Sequence, residues 1–500
     1  MSPFATRCGL DTPARQAAVA HATQLLRASG IELVRLAWCD VHGVTRCKTL
    51  VTEAAIEALH NGVGMVSTLL LKDTSDRTAF KVFEASISDE LPGFEFASNL
   101  LLMPDPDSLH ILPWADNTAW LQCQPWFPNA QPVELDSRYQ LQSALAHLAE
   151  QGLGLKCGLE IEFHIYRLQD ATQGNDLDPD LAAWPGRAPA VHMIHPGYRL
   201  LSEHDMDQCE EPLRIVQHTA QGLGLPLLSL EIEFGPSQVE AVFSATDALT
   251  AADNMVLFRN GVRQALRRAG YHATFMCRPP FQHIMSSGWH LHQSLVDLDS
   301  GRNALMRDEA APLTQAHDAR HTLSDVGAHY LAGLLDHAKG STLLCTPTAN
   351  GYGRFQPNAL APQSIVWGRD NRGAMLRVIG QAGDSATRIE NRLGEPAANP
   401  YLYMASQIHA GLAGIAQQRM PPLATEAPYQ TLPVDDTGST RIPSHLGEAL
   451  KAFQADAAMA QGFGDAFVRY YSRIKQAEQQ RFEAAEDTLE FQRREYFGRI

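Results

Sequence analysis

Apolar and polar positions alternate most strictly at residues 156–166, KCGLEIEFHIY. Leu159, Ile161 and Phe163 share one face, and Glu160 and Glu162 share the other, as the two-residue period of a strand requires. Two carboxylates side by side repel unless a cation lies between them or one keeps a proton. Hard divalent ions such as magnesium or manganese take such oxygen donors. An amphipathic strand with two solvated glutamates gives the same pattern, and this segment alone leaves both readings open.

The pattern elsewhere predicts helices interleaved with strands. Residues 16–30, rich in Ala and Leu and closed by Gly, read as a helix. Residues 32–51 read as two strands about an Asp-Val-His-Gly turn, with a short helix at 52–60. Further strands are expected at 80–102 and 118–124, with proline-rich punctuation at 104–113 and 125–132. A β-rich unit of residues 16–128 is therefore expected, then a linker, then a larger unit of residues 133–500. In that unit helices are expected at 136–151, 208–222, 246–269 and 326–339, and loops at 169–197 and 301–321. The tail from Pro443 reads as helical, with Tyr470, Tyr471 and Phe482 as core. The class is α+β. GLGLKCGLEIEF and GLGLPLLSLEIEF echo each other as helix-to-strand junctions without forming a tandem repeat.

Composition narrows the function. The 500 residues carry a net charge of −16, which argues against a nucleic-acid binder and fits acidic clusters offset by bound cations. The eight cysteines are scattered and form no CxxC pair, so neither a zinc knuckle nor a disulfide framework is indicated. No apolar run approaches the length of a membrane span and no secretory h-region is visible, so a cytoplasmic protein without membrane contact is expected.

Three further constellations carry chemistry. In EIEFGPSQVE a Gly-Pro turn separates Glu233 from Glu240 and can bring both carboxylates to one point; a hairpin with polar ends reads the same way. In SSGWHLHQS, His290, His292 and Ser294 share a strand face, suited to a metal or a phosphate, or to plain hydrogen bonding. In RIENR, Arg388, Glu390 and Arg392 share a face, either as an ion network or as a ligand glutamate between two anion clamps. Arg354, Arg372 and Arg377 add cations upstream. Carboxylates with arginines suit phosphoryl transfer, and without GxxxxGK[ST] this is no P-loop enzyme.

In this order the constellations resemble the glutamine synthetase family. The resemblance runs from about residue 20 to the end, through AWCDVHGVTRCK, GLEIEF, EIEFGPSQVE, SGWHLHQSL, PTANGYGRF, WGRDNR and RIENRLGEPAANPYL. It implies a β-grasp N-terminal domain and a catalytic domain with a curved antiparallel sheet and helices. It also implies ATP as co-substrate and two or three Mg2+ or Mn2+ ions per site. One ion would be held by Glu162, Glu233 and Glu240, and another by Glu160, His290 and Glu390. Arg377 and Arg388 match arginines that clamp the nucleotide phosphates, as does Arg372, to which a catalytic role falls. His292 and Ser294 match nucleotide contacts. Arg392 matches the arginine that handles the γ-carboxylate and phosphoryl group, and Arg354, with Glu162, holds the glutamate. The partners implied are small molecules and further copies of the chain, in a hexameric ring or double-ring dodecamer with shared sites.

Departures from the family pattern redirect the expected substrate. The flap glutamate six residues after Arg354 is replaced by Leu360, and residues 62–71, GVGMVSTLLL, lack the family's aspartate. Ammonium and polyamines are cations, and an apolar pocket cannot hold an unpaired charge. An aromatic amine is neutral at pH 7. Leu360, Met65, Val66 and Phe355 or Trp367 are expected to line its pocket. Met285 and Ser286 replace the family's Asn-Gly ahead of Ser-Gly, and Glu231 stands where His is frequent. The expected activity is ATP-dependent joining of glutamate to a neutral, aromatic amine, in the manner of ligases of the γ-glutamylanilide synthetase type. An alkylamine, polyamine or ammonia ligase, and a catalytically silent oligomer, are the alternatives.

Overall fold

The structure is a computed structural model and describes residues 2–84, 86–169, 182–309, 317–356, 361–429 and 440–500. The first sheet holds β1 (Leu33–Cys39), β2 (Thr45–Val51), β3 (Val63–Val66), β4 (Asn99–Pro104), β5 (His110–Ile111) and β6 (Thr118–Trp126). Their order is β2-β1-β6-β4-β3, with β5 against β6. The β1–β2 turn forms because Asp40 Oδ1 accepts from the amides of His42 and Val44, each at 3.0 Å, and Gly43 takes φ +77°. Helices Pro13–Ala28 and Thr52–Asn61 stand where the sequence places them.

The strand expected at 80–102 is confined to β4. Phe80 and Val82 are buried in irregular chain, while Ile87, Leu91 and Phe94 are buried at helical spacing around the short Ile87–Glu90 turn. Pro92 and Gly93 then break the chain, so no ladder can run through. The helix expected at 208–222 is two, Glu203–Gln208 and Glu210–Gly222. The loop expected at 169–197 contains a short strand, and residues 170–181 of it lie outside the described residues.

The second sheet, nine-stranded among the described residues, carries the chemistry. It is built from β7 (Leu153–Leu168), β8 (Val191–Met193), β9 (Leu227–Ile232), β10 (Gln238–Asp247), β11 (Tyr271–Thr274), β12 (Trp289–Asp297), β13 (Trp367–Arg369), β14 (Leu376–Ile379) and β15 (Arg388–Gly394). The order is β13-β14-β15-β12-β7-β10-β9, with β8 and β11 also against β7. Only β13–β14 pairs in parallel. One face is dry. Phe163 stacks on Phe275 at 4.9 Å and meets Phe258 edge-on at 5.9 Å, and Phe243 meets Phe258 at 4.9 Å. Phe258 belongs to the Ala248–Arg268 helix, which thereby covers this face. Each such ring is worth roughly 2–3 kcal/mol of burial, which fixes the register and leaves the charged residues on the opposite face. Among the described residues no helix is long and apolar enough to cross a membrane.

Candidate active site

Register converts the sequence motifs into a site. Glu160 stands opposite His290, Glu162 opposite Glu240, and Glu240 opposite Glu231. On the other wing His292 stands opposite Glu390, and Glu390 opposite Arg377. The wet face thus runs from Arg377 through Glu390, the two histidines and the glutamate pair to Glu240 and Glu231.

Donor atoms of Glu160, Glu240 and His290 lie within 4.8 Å of one another, as do those of Glu160, His292 and Glu390. Glu160 is therefore common to both groups. His290 Nδ1 is 3.5 Å from Glu160 and 3.8 Å from Glu390, its Nε2 is 3.9 Å from Glu162, and His292 Nε2 is 2.9 Å from Glu160. Glu162 Oε2 accepts from Gln238 Nε2 and from the Gly288 amide, both at 2.9 Å. A Cβ at Gly288 would collide with the guanidinium of Arg354 and crowd His290 Nε2, so a side chain there would have to displace Arg354.

Burial pushes Glu240 up to about 10, with Glu162, Glu233 and Glu160 adding repulsion, and burial followed by Glu162 pushes Glu233 up to about 7. Burial, then the charge of Arg392, holds His290 below its usual range, so it presents a neutral imidazole. Crowded carboxylates beside the imidazole of His290 are a donor set that a hard divalent cation fits and relieves.

The arginines gather on the opposite wing. Glu390, fully buried, accepts from Arg377 Nη1 at 3.0 Å and Arg392 Nη1 at 2.6 Å. Arg392 Nε is buried and meets no acceptor among the described residues, leaving a donor for an anion. Arg388 Nε donates to His292 Nδ1 at 3.1 Å. Arg354 is buried; its Nη1 donates to the carbonyls of Arg392 and Gly394, and Nη2 lies 3.4 Å from His290 Nε2.

A model of the family described as "Glutamine synthetase, catalytic domain" matches residues 134–494. The chain belongs to the glutamine synthetase family. A γ-glutamylanilide synthase from an Acinetobacter species is 35% identical over 99% of this chain and 98% of its own. A γ-glutamylethanolamide synthetase from Streptomyces coelicolor is 30% identical, covering 94% of each chain. A solved structure of apo GmaS superposes with a TM-score of 0.74 at 28% identity, over 94% of this chain and 97% of the other. The fold is thus that of the glutamine synthetases.

Within this glutamine synthetase frame, the other expected site residues that the structure describes stand outside the donor cluster. Ser294 Oγ donates to the Thr387 carbonyl at 2.8 Å. Arg372 is exposed on the turn after β13 and lines an opening with His317, Asp370 and Glu426. Met65 is 4% exposed within the core beside the first sheet, and Val66 is 38% exposed. Phe355 packs against Tyr352 at 6.3 Å, and Trp367 is buried, its indole donating to the Pro422 carbonyl at 2.8 Å. Leu360 lies outside the described residues.

Two residues were missed. Gln238 holds Glu162 and also reaches Ser287 Oγ at 3.1 Å and the Ser286 carbonyl at 3.3 Å. Its place between Glu233 and Glu240 was the available signal. Arg278 donates to Ser286 Oγ at 3.3 Å, and Asn350 clasps its main chain at 2.8 and 2.9 Å; nothing local in RPPF marks it.

Proposed function

We propose that this chain is an ATP-dependent ligase joining the γ-carboxylate of glutamate to a neutral, aromatic amine such as aniline. The observation that carries this reading is the full-length likeness to the Acinetobacter γ-glutamylanilide synthase, on a wet face that keeps all six expected metal donors. Segment 62–71 supplies no carboxylate for an ammonium ion, and Leu360 supplies none at the flap position. The likenesses to the ethanolamide synthetase and to a Pseudomonas glutamate–isopropylamine ligase, 30% identical, support γ-glutamyl transfer to an alkylamine as the second reading.

In the proposed reaction a γ-carboxylate oxygen attacks the terminal phosphorus of ATP and ADP leaves, giving γ-glutamyl phosphate. The amine nitrogen then attacks the acyl carbon, phosphate leaves, and the proton shed by nitrogen passes to solvent or phosphate. Glu160, Glu162, Glu233, Glu240, His290 and Glu390 would hold divalent cations, which supply phosphate neutralisation when bound. Arg377, Arg388 and Arg372 face the phosphates, with His292 and Ser294 on the nucleotide side. The free Nε of Arg392 meets the transferring group. Arg354 holds the α-carboxylate, and Glu162, fixed by Gln238 and Gly288, the α-ammonium. A ring of protomers would let the exposed Val66 of one copy face the site of the next.

Phosphate release from ATP, magnesium and glutamate, measured with aniline, isopropylamine, ethanolamine and ammonium and with product masses checked, tests this. Turnover with aniline and little with ammonium is expected, and Leu360→Glu should shift preference toward ammonium. Turnover with ammonium alone overturns the aromatic reading, and turnover confined to the alkylamines establishes the second one.

A further inference from the structure

The row of polar side chains on β7 does not stop at the proposed cation ligands. Glu160, Glu162 and His164 follow one another at the two-residue spacing of one strand face. His164 stands opposite Gln238 of β10, two residues along the register from the Glu162–Glu240 pair. Unlike the glutamates of β7 it is fully buried, as is Ser287, and Gln238 between them is buried too. Neither His164 nor Ser287 has a part in the reaction set out above.

Hydrogen bonds join these residues into one chain that ends on Glu162. Gln238 Oε1 accepts from the Gly235 amide at 2.8 Å, which fixes the side-chain amide with Nε2 towards Glu162. Nε2 donates to Glu162 Oε2 at 2.9 Å and to Ser287 Oγ at 3.1 Å; the Ser286 carbonyl, at 3.3 Å, is the longer alternative for the second proton. Ser287 Oγ in turn lies 3.2 Å from His164 Nδ1. A hydroxyl has one proton and two lone pairs. With a lone pair receiving Gln238, the proton goes to His164, so Nδ1 is the acceptor and the ring keeps its own proton on Nε2. Burial, then His195, pushes His164 down to about 3, in keeping with a neutral ring. Tyr166 stacks on it at 6.1 Å and 5° and sets its plane. The main chain of Ser287 is tied separately, its amide donating to the Cys277 carbonyl at 2.7 Å.

We propose that His164 and Ser287 are positioning residues for Glu162. By accepting the hydroxyl proton, His164 turns the Ser287 lone pairs towards Gln238, and Gln238 holds the Glu162 carboxylate in place for a cation and for the α-ammonium of the substrate. The inference rests on the proposed role of Glu162. Beside a ring with no acceptor, the hydroxyl proton would be free to turn towards the Gln238 amide, where two donors would face each other. Glu162 would then lose its fixed partner. A partner that acts through a metal ligand is worth roughly 10–100-fold in affinity or activity.

The test uses three full-length variants. Ser287→Ala deletes the middle link and little volume, His164→Phe keeps a ring but no acceptor, and the third combines both. Magnesium is titrated calorimetrically without nucleotide, and KM is measured separately for glutamate and for ATP. Each single variant should weaken magnesium binding and raise the glutamate KM by about tenfold, the low end of the range because these residues act through Gln238. The ATP KM at saturating magnesium should stay unchanged, whereas a loosened fold would move both. The double variant should be no worse than either single one, since the same chain is already cut. His164→Asn, which offers a carbonyl oxygen near the place of Nδ1, should recover most of the loss. Melting midpoints check folding; should His164→Phe not fold, Ser287→Ala decides by itself whether the chain holds Glu162. Unchanged magnesium binding and glutamate KM in Ser287→Ala, single effects that add in the double variant, or equal rises in the glutamate and ATP KM overturn the proposal. A parent protein that neither binds magnesium nor uses glutamate overturns the reading of Glu162 itself, and the positioning chain with it.

Discussion

Replacing Glu240 by Gln should stabilise the metal-free protein while crippling its response to magnesium. Glu240 is 8% exposed and stands opposite both Glu162 and Glu231. Burial and then Glu162, Glu233 and Glu160 raise its carboxyl from 4.5 to about 10. Between those values the folded chain binds a proton that the unfolded chain releases, so stability falls as pH rises. At pH 7.5, about three pH units above the unfolded value, the penalty has a ceiling of about 4 kcal/mol. The repulsion is shared with Glu162 and Glu233, so the substitution should recover roughly 1–2 kcal/mol of it. Urea unfolding in EDTA at pH 7.5 should show the variant more stable by that amount, with the gain fading towards pH 5. A magnesium titration of the melting midpoint should show a smaller rise than in the parent. Turnover should fall by about 100-fold or more, beyond the roughly 10–100-fold typical of losing only an outer-shell partner. A variant less stable than the parent in EDTA at pH 7.5, with its magnesium response intact, would refute the picture of a repelling cluster that a cation relieves.

Gln238→Leu should free Glu162 and lower turnover by about 10–100-fold with a matching loss of magnesium affinity, read by kinetics and metal titration; an unchanged magnesium affinity would mean that Gln238 does not position the site. Arg259, buried, donates to the carbonyls of Pro396 at 2.8 Å, Ala398 at 3.1 Å and Gly43 at 2.6 Å. Arg259→Leu should therefore cost about 3–5 kcal/mol in urea unfolding, by orphaning three carbonyls that tie the first hairpin to the loop after β15. His337, its Nδ1 3.0 Å from Asp456, is raised above 6.5 by that hydrogen bond. Its contribution, about 1 kcal/mol or less, is fully present below pH 6.5 and lost as pH rises through the higher folded value. His337→Gln should flatten stability across that window.

The strands that carry the site were legible because each has one dry face. Leu159, Ile161 and Phe163 announce Glu160 and Glu162, and Ile389 sits behind Arg388, Glu390 and Arg392. The neighbours of each strand were not legible, because strand order is set by packing between segments far apart in the chain. β12 and β10 flank β7, yet nothing local to residues 160–162 names His290 on one side and Glu240 on the other. The stretch at 80–98 misled for a related reason: its apolar residues enter the core at turns of irregular chain, and burial alone does not distinguish that from a strand.

The sheet sorts its charges by strand, and this sorting would let one face handle both a cation and a polyphosphate. Glu231, Glu233 and Glu240 come from β9, β10 and the turn between them, while Arg377, Arg388 and Arg392 come from β14 and β15. Glu160, Glu162, His290 and His292 occupy the seam on β7 and β12. Had the signs been interspersed, neighbouring groups would have neutralised one another and left little field for a ligand. Two acids stand on the basic wing. Glu390 is bound by both Arg377 and Arg392, and Arg377 also pairs with Asp370, so these four groups balance in charge while the buried Nε of Arg392 keeps an unpaired donor among the described residues. The same Glu390 reaches His290 and His292 across the strand boundary. A cation drawn to the seam and phosphates drawn to the arginines would therefore meet at Glu390, where the transferred group has to be neutralised from both sides.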